Sequence, residues 1–159
     1  MMRYWLFKSE PTTFSINDLE HSPNQVTYWN GVRNYQVRNM LRDEMQAGDY
    51  AFFYHSNCTP PGIVGTMKIV KTGYPDFTAW DPTSPYFDSK STAIKPCWFM
   101  VDVQFVNKFE QIISLDALKT HLSLKNMLIL RPGNRLSITP VTKQEWEIIL
   151  TVSADSKIR

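Results

Sequence analysis

Trp98-Phe99-Met100-Val101-Asp102-Val103-Gln104-Phe105-Val106 decides the fold class, because its alternation leaves little choice of element. Phe99, Val101, Val103 and Phe105 share one face while Asp102 and Gln104 take the other, the period of a half-buried β-strand. Working outward, Arg3 to Ser9 also reads as a strand. It is apolar on both faces, Tyr4 and Leu6 against Trp5 and Phe7, as a central strand requires. Lys8-Ser9-Glu10-Pro11 ends it, since proline has no N–H for a ladder. Tyr50 to Ser56 is a second aromatic strand. After the Pro60-Pro61-Gly62 turn, Ile63 to Lys71 is a third, with Gly65 marking a bulge or a close backbone contact. Met127 to Leu130 and Leu136 to Val141 read as short strands on either side of the turn Arg131-Pro132-Gly133-Asn134-Arg135.

Between the strands lie short helices with legible starts. Ser15-Ile16-Asn17-Asp18 has a cap with an acid three residues on, predicting a helix over Ile16 to His21. Val37, Met40, Leu41 and Met45 give the spacing of an inward stripe that Gly48-Asp49 closes, with Arg38, Arg42 and Glu44 outside it. Ser114 caps a helix carrying Leu115, Leu118 and Leu122. Thr142-Lys143-Gln144-Glu145 is a capping box opening a last helix with Trp146, Ile149 and Leu150 inward. The stretch from Thr72 to Pro96 is punctuated by Pro75, Pro82, Pro85 and Pro96. It still carries Trp80, Tyr86 and Phe87, so it reads as an ordered loop folded onto the body rather than a linker. Mixed strands and short helices, without regular βαβ alternation, predict an α+β fold on a curved sheet or small β-barrel.

The bulk numbers bound the function. At 159 residues, 43% hydrophobic and 20% charged, the chain fits one soluble domain over residues 1–159. No run is long enough for a membrane span and the N-terminus has no signal-peptide layout, so no membrane partner is expected. Cys58 and Cys97 lack metal-ligand or redox spacing and read as free thiols, which predicts an intracellular protein, cytoplasmic or, in a eukaryote, nuclear. A net charge of +2 permits nucleic-acid contact without arguing for it. The 13% aromatic content leaves rings to spare for recognition.

One segment concentrates the chemistry. Tyr28-Trp29-Asn30-Gly31-Val32-Arg33-Asn34-Tyr35-Gln36-Val37-Arg38-Asn39 sets an indole, a turn glycine, two arginines and several amides together. It reads either as a pocket mouth, with Trp29 as a stacking face, or as an ordinary loop with Trp29 plugging the core. No phosphate loop, dinucleotide fingerprint, nucleophile elbow or His/Cys ligand cluster occurs, so no cofactor, metal or catalytic residue is assigned. His55, in Phe52-Phe53-Tyr54-His55-Ser56, has no orienting acid beside it and reads equally as structural or functional. What remains is a set of rings and small polar groups at strand ends: Ser9, Trp29, Asn34, Tyr54, His55 and Ser56, with Trp80 or Tyr86 from the loop. This inventory suits a flat heteroaromatic group, stacked on its faces and read along its edge. Lys8, Arg33, Arg38 and Arg135 would then meet flanking phosphates.

The motifs, in order, also resemble a known family. Tyr4 to Pro11, Trp29 to Asn34, Phe52 to Ser56, Gly62 to Gly65 and Arg135 to Val141 are similar to the EVE domain family, as are Ser84 to Asp88 and Trp98 to Val103. The resemblance runs from about Arg3 to Leu150. It implies a PUA-like fold, a small curved β-barrel flanked by short helices and related to YTH domains, whose members hold modified bases in an aromatic cage. It further implies binding of a modified base in DNA or RNA without chemistry, with Ser9 and Trp29 lining the cage; a monomer is expected. Asn34 would lie near the base edge, and Tyr54-His55-Ser56 would border the pocket. Two other functions stay open: an enzyme on a modified base or nucleotide with His55 as general base, and a protein-interaction module docking through Thr72–Pro96.

Overall fold

The computed structural model describes the backbone of residues 2–158. The strand predicted at residues 98–106 is the spine of the sheet and runs further than its alternation: β5 spans Phe99–Ser114, against β4 at Gly62–Pro75. With β1 (Tyr4–Ser9), β2 (Val26–Trp29), β3 (Tyr50–His55) and β6 (Ile138–Val141), they form a six-stranded sheet among the described residues. Its order is β2-β5-β4-β3-β1-β6. Every pairing is antiparallel except β1 with β3. The fold is the predicted α+β class, but β2 and β6 stand at opposite edges, so the sheet does not close into a barrel.

β1 is apolar on both faces because each face has its own core. Trp5 and Phe7 enter one cluster with Phe53, Met67, Val101 and Val103. Leu6 enters the other with Phe52, Tyr54, Ile63, Phe109 and Trp146. The bulge read at Gly65 is real: the β4–β5 register shifts there, and a Cβ would meet the Asn107 carbonyl oxygen at 2.3 Å.

The helices are short and their caps are those read from the sequence. α1 (Ile16–Glu20) starts in a capping box in which the Ser15 hydroxyl and Asp18 carboxylate exchange bonds with backbone N–H groups. α2 (Tyr35–Asn39) begins under Asn34 and runs into a wider turn at Met40–Glu44, burying Val37, Met40, Leu41 and Met45. α3 (Leu115–Lys119) is capped by Ser114, and α4 (Lys143–Ile158) by the Thr142–Glu145 box. No described helix is long and apolar enough to cross a membrane.

Four expectations need correction. Leu150 on α4 is 36% exposed rather than inward like Trp146 and Ile149. Leu122 is 84% exposed rather than inward, because α3 stops at Lys119 and the chain re-enters a separate turn. Leu128–Leu130 forms a 3₁₀ turn where a strand was expected. β2, unpredicted, is only four residues long and exists through its pairing with Val101 to Gln104 of β5.

Candidate functional site

A cleft of about 730 Å³ opens where the ends of β1 and β2 meet the segment leading into α2. Lys8 and Ser9 line it from β1, Trp29 from β2, and Gly31, Arg33 and Asn34 from the connecting segment. Arg135 and Ser137 reach it from the approach to β6, and Tyr86 from the long loop. The candidates Ser9, Trp29, Asn34, Lys8, Arg33, Arg135 and Tyr86 therefore come together.

Trp29 is partly buried, and what holds it is aromatic. The Phe7, Phe14 and Phe53 rings meet it edge to face at 5.1, 6.2 and 5.5 Å between centroids. Three near-perpendicular contacts fix the plane of an indole that still borders the open cleft. The two sequence readings of Trp29 thus describe one residue: packed on its inner side, a cleft wall on its outer.

Polar groups around it divide into engaged and free. The Ser9 hydroxyl donates to the Phe14 carbonyl at 2.6 Å, which leaves its oxygen able to accept. Asn34 caps α2 by accepting from the Val37 N–H at 3.0 Å, and its NH₂ stays available. Lys8 has no ion-pair partner among the described residues, and burial lowers its ammonium pKa below the usual lysine value. Arg135, exposed at the rim, is also without an acid partner among them.

Arg33 is a clamp rather than a free phosphate contact. Its guanidinium pairs with Asp76 at 3.1 Å and donates to the carbonyls of Val32 and Tyr86. It also lies over the Trp98 ring at 5.3 Å and the Tyr86 ring at 5.9 Å. Tyr35 stacks on Trp98 at 4.8 Å, and Arg38 covers Tyr35 at 4.8 Å. The result is a ladder Arg38–Tyr35–Trp98–Arg33–Tyr86 that fastens the loop to α2. Its end, the Tyr86 ring, rests on Gly31, whose φ of +82° and lack of a side chain both matter: a Cβ there would lie 2.6 Å from the ring.

Asp76 organises this wall. Its carboxylate, 0% exposed, accepts from the Gly31 N–H at 2.9 Å, from Arg33, and from the Thr78 N–H and hydroxyl. Asn30 adds a bond to the Thr78 hydroxyl at 3.2 Å. Further along the loop, the Trp98 indole donates to Asp88 at 2.7 Å, a bond that is the main reason the Asp88 carboxyl sits below the usual carboxylate range.

The other candidates stand apart from the cleft. Tyr54 is 3% exposed and belongs to the core on the opposite face, where burial pushes its phenol up to about 12. His55 accepts the Ile16 N–H on Nε2 at 3.1 Å, and burial lowers its pKa, so it serves as a neutral cap for α1. Ser56 donates its N–H to the Ser9 carbonyl and does not line the cleft. Arg38 bonds the Cys97 carbonyl, and the Trp80 indole N–H is buried without a partner away from the opening. Residues that line the cleft and were not singled out as candidates include Glu10, Phe14, Tyr28 and Ser137. Adjacency to Ser9, Trp29 and Arg135 was the signal that could have found Glu10, Tyr28 and Ser137. Phe14 carried none.

Comparison with known proteins bears on the family and the fold. The EVE domain model matches residues 3–152. Thymocyte nuclear protein 1 of Gallus gallus is 47% identical, over 96% of this chain and 69% of that protein. A solved Pseudomonas syringae protein superposes with a TM-score of 0.89 at 49% identity, covering 94% of this chain and 99% of that one. Human THYN1, solved in complex with 5-methylcytosine containing DNA, gives a TM-score of 0.88 at 46% identity, covering 95% of this chain and 97% of its own.

Proposed function

The chain belongs to the EVE domain family, and from that membership we propose that it binds DNA carrying a modified base, without chemistry, by seating that base beside Trp29. The base leaves its stack, lies against the indole, and presents its edge to Ser9 and the Asn34 amide. Lys8 and Arg135 meet the flanking phosphates. The observation that carries the reading is Trp29 itself, a ring held rigidly by three phenylalanines yet bordering an open cleft of about 730 Å³. The complex of human THYN1 with 5-methylcytosine containing DNA supports the choice of ligand class. Against an enzyme stands the engagement of His55, whose Nε2 already accepts a backbone bond and is unavailable as a base. By the same reading the protein works inside the cell, where its ligand is.

The test compares oligonucleotides with and without 5-methylcytosine, as DNA and as RNA, at stated salt. Wild type should prefer the modified DNA, and Trp29→Ala should lose that preference with a fall of about 5- to 100-fold, the worth of one stacked base. Urea unfolding checks that the variant is folded. Equal binding of modified and unmodified DNA by wild type refutes the reading.

A further inference from the structure

Tyr28 and Phe77 are each 44% exposed, and their rings meet at 5.3 Å in an edge contact at the margin of the cleft, which Tyr28 also borders. Both are held there by the fold. Tyr28 precedes Trp29 on the edge strand β2, so the two side chains leave the strand on opposite sides. Its partner across the ladder is Asp102, which also pairs in register with Lys71 of β4. Phe77 opens the 3₁₀ turn Phe77–Trp80, capped by Asp76, whose carboxylate also binds Gly31 and Arg33 in the cleft wall. One buried carboxylate thus positions both the cleft wall and the ring beside it.

The neighbouring charge suits phosphate. Lys71 is exposed, has no ion-pair partner among the described residues, and lies 4.1 Å from the Tyr74 ring centroid. Tyr74 in turn donates to Asp102, occupying the acid that faces Lys71. Two rings left half in water, with Lys71 in the same cross-strand row and a base-sized cleft bordered by the same edge strand, match the requirements of a stacking platform for single-stranded nucleotides.

Resting on the function proposed above, we infer that Tyr28 and Phe77 form a second subsite, which stacks the nucleotide next to the one in the cleft while Lys71 takes its phosphate. The strand passes over β2, one base inside against Trp29 and its neighbour outside against Tyr28 and Phe77. Stacking of this kind is indifferent to sequence and modification, so the subsite supplies affinity and the cleft supplies selectivity.

Fluorescence anisotropy with single-stranded DNA, with and without 5-methylcytosine, separates the two. The doubly substituted Tyr28→Ala/Phe77→Ala protein should bind both oligonucleotides about 5- to 100-fold more weakly by the same factor, leaving the preference intact. Tyr28→Phe, which keeps the ring, should bind as wild type does. Unchanged affinity in the double variant overturns the subsite. A loss confined to the modified oligonucleotide also overturns it, by placing these rings in the selective cleft. If wild type shows no preference but the double variant still weakens binding, the subsite stands and the modified-base reading falls. If wild type binds neither single strand, the subsite falls, and the modified-base reading is decided by the same titration with duplex DNA.

Discussion

Asp76→Ala should be among the most damaging single substitutions in the cleft wall. The carboxylate is wholly buried and accepts from four donors: the Gly31 N–H, the Arg33 guanidinium, and the N–H and hydroxyl of Thr78. Removing one partner of a buried ion pair costs about 3–5 kcal/mol. Arg33 retains a quarter of its side-chain exposure and can be partly rehydrated, which favours the lower end. The orphaned Gly31 and Thr78 N–H groups push the other way, at about 1–3 kcal/mol each where water cannot reach them. A net loss of about 3–5 kcal/mol follows, lowering a urea midpoint by about 1.5–2.5 M if the slope is about 2 kcal/mol/M. Asp76→Asn is the sharper probe. All four contacts donate, so an amide must turn its NH₂ toward one pair of donors, and an intermediate loss of about 2–3 kcal/mol is expected. Hydrogen exchange should show residues 76–98 opening in both variants while β3 and β4 stay protected. A loss below about 1 kcal/mol for Asp76→Ala would refute the view that this carboxylate holds the wall together.

Gly31→Ala strains a backbone at φ +82° and drives a methyl into the Tyr86 ring; a stability loss of about 1–2 kcal/mol is expected in calorimetry, with a larger proportional loss of DNA binding as the ring is displaced. His55 has its pKa lowered by burial, so the unfolded chain binds its proton more readily. Its contribution is therefore complete above the unfolded value of about 6.5 and is lost as pH falls through 6.5 toward the folded value. Urea midpoints measured from pH 7.5 to 5 should decline over that window, and His55→Gln, which keeps an acceptor for Ile16, should flatten the decline. Lys8→Ala and Arg135→Ala should each weaken modified and unmodified DNA alike and reduce the slope of log K against log salt by about 0.7–0.9, read from titrations at several salt concentrations.

What the sequence made legible is what local rules govern. Alternation in residues 98–106, double-sided burial in residues 4–7, and the Ser15–Asp18 and Thr142–Glu145 boxes each concern residues close in the chain, and each is present. β2 was illegible because four residues ending at Trp29 carry no period of their own; β5 makes them a strand. The engagement of Arg33 was illegible for a related reason, since its acid lies 43 positions on and its ring contacts 53 and 65 positions on. Tyr54 was grouped with the cleft by adjacency to His55, although strand alternation already sends consecutive side chains to opposite faces. Ser9 and Trp29 line the cleft because each stands at the end of a strand bordering the opening.

The position of β1 between β3 and β6 has a consequence for how the molecule is made. Its outer neighbour, Ile138–Val141, comes from the far part of the chain. During synthesis the strand formed by Tyr4–Ser9 can join β3 early, yet one side of its ladder stays bare until the chain through Val141 has left the ribosome. Nascent chains halted before Ile138 therefore display an unfinished apolar sheet, the form in which this protein is most exposed to aggregation and to chaperone capture.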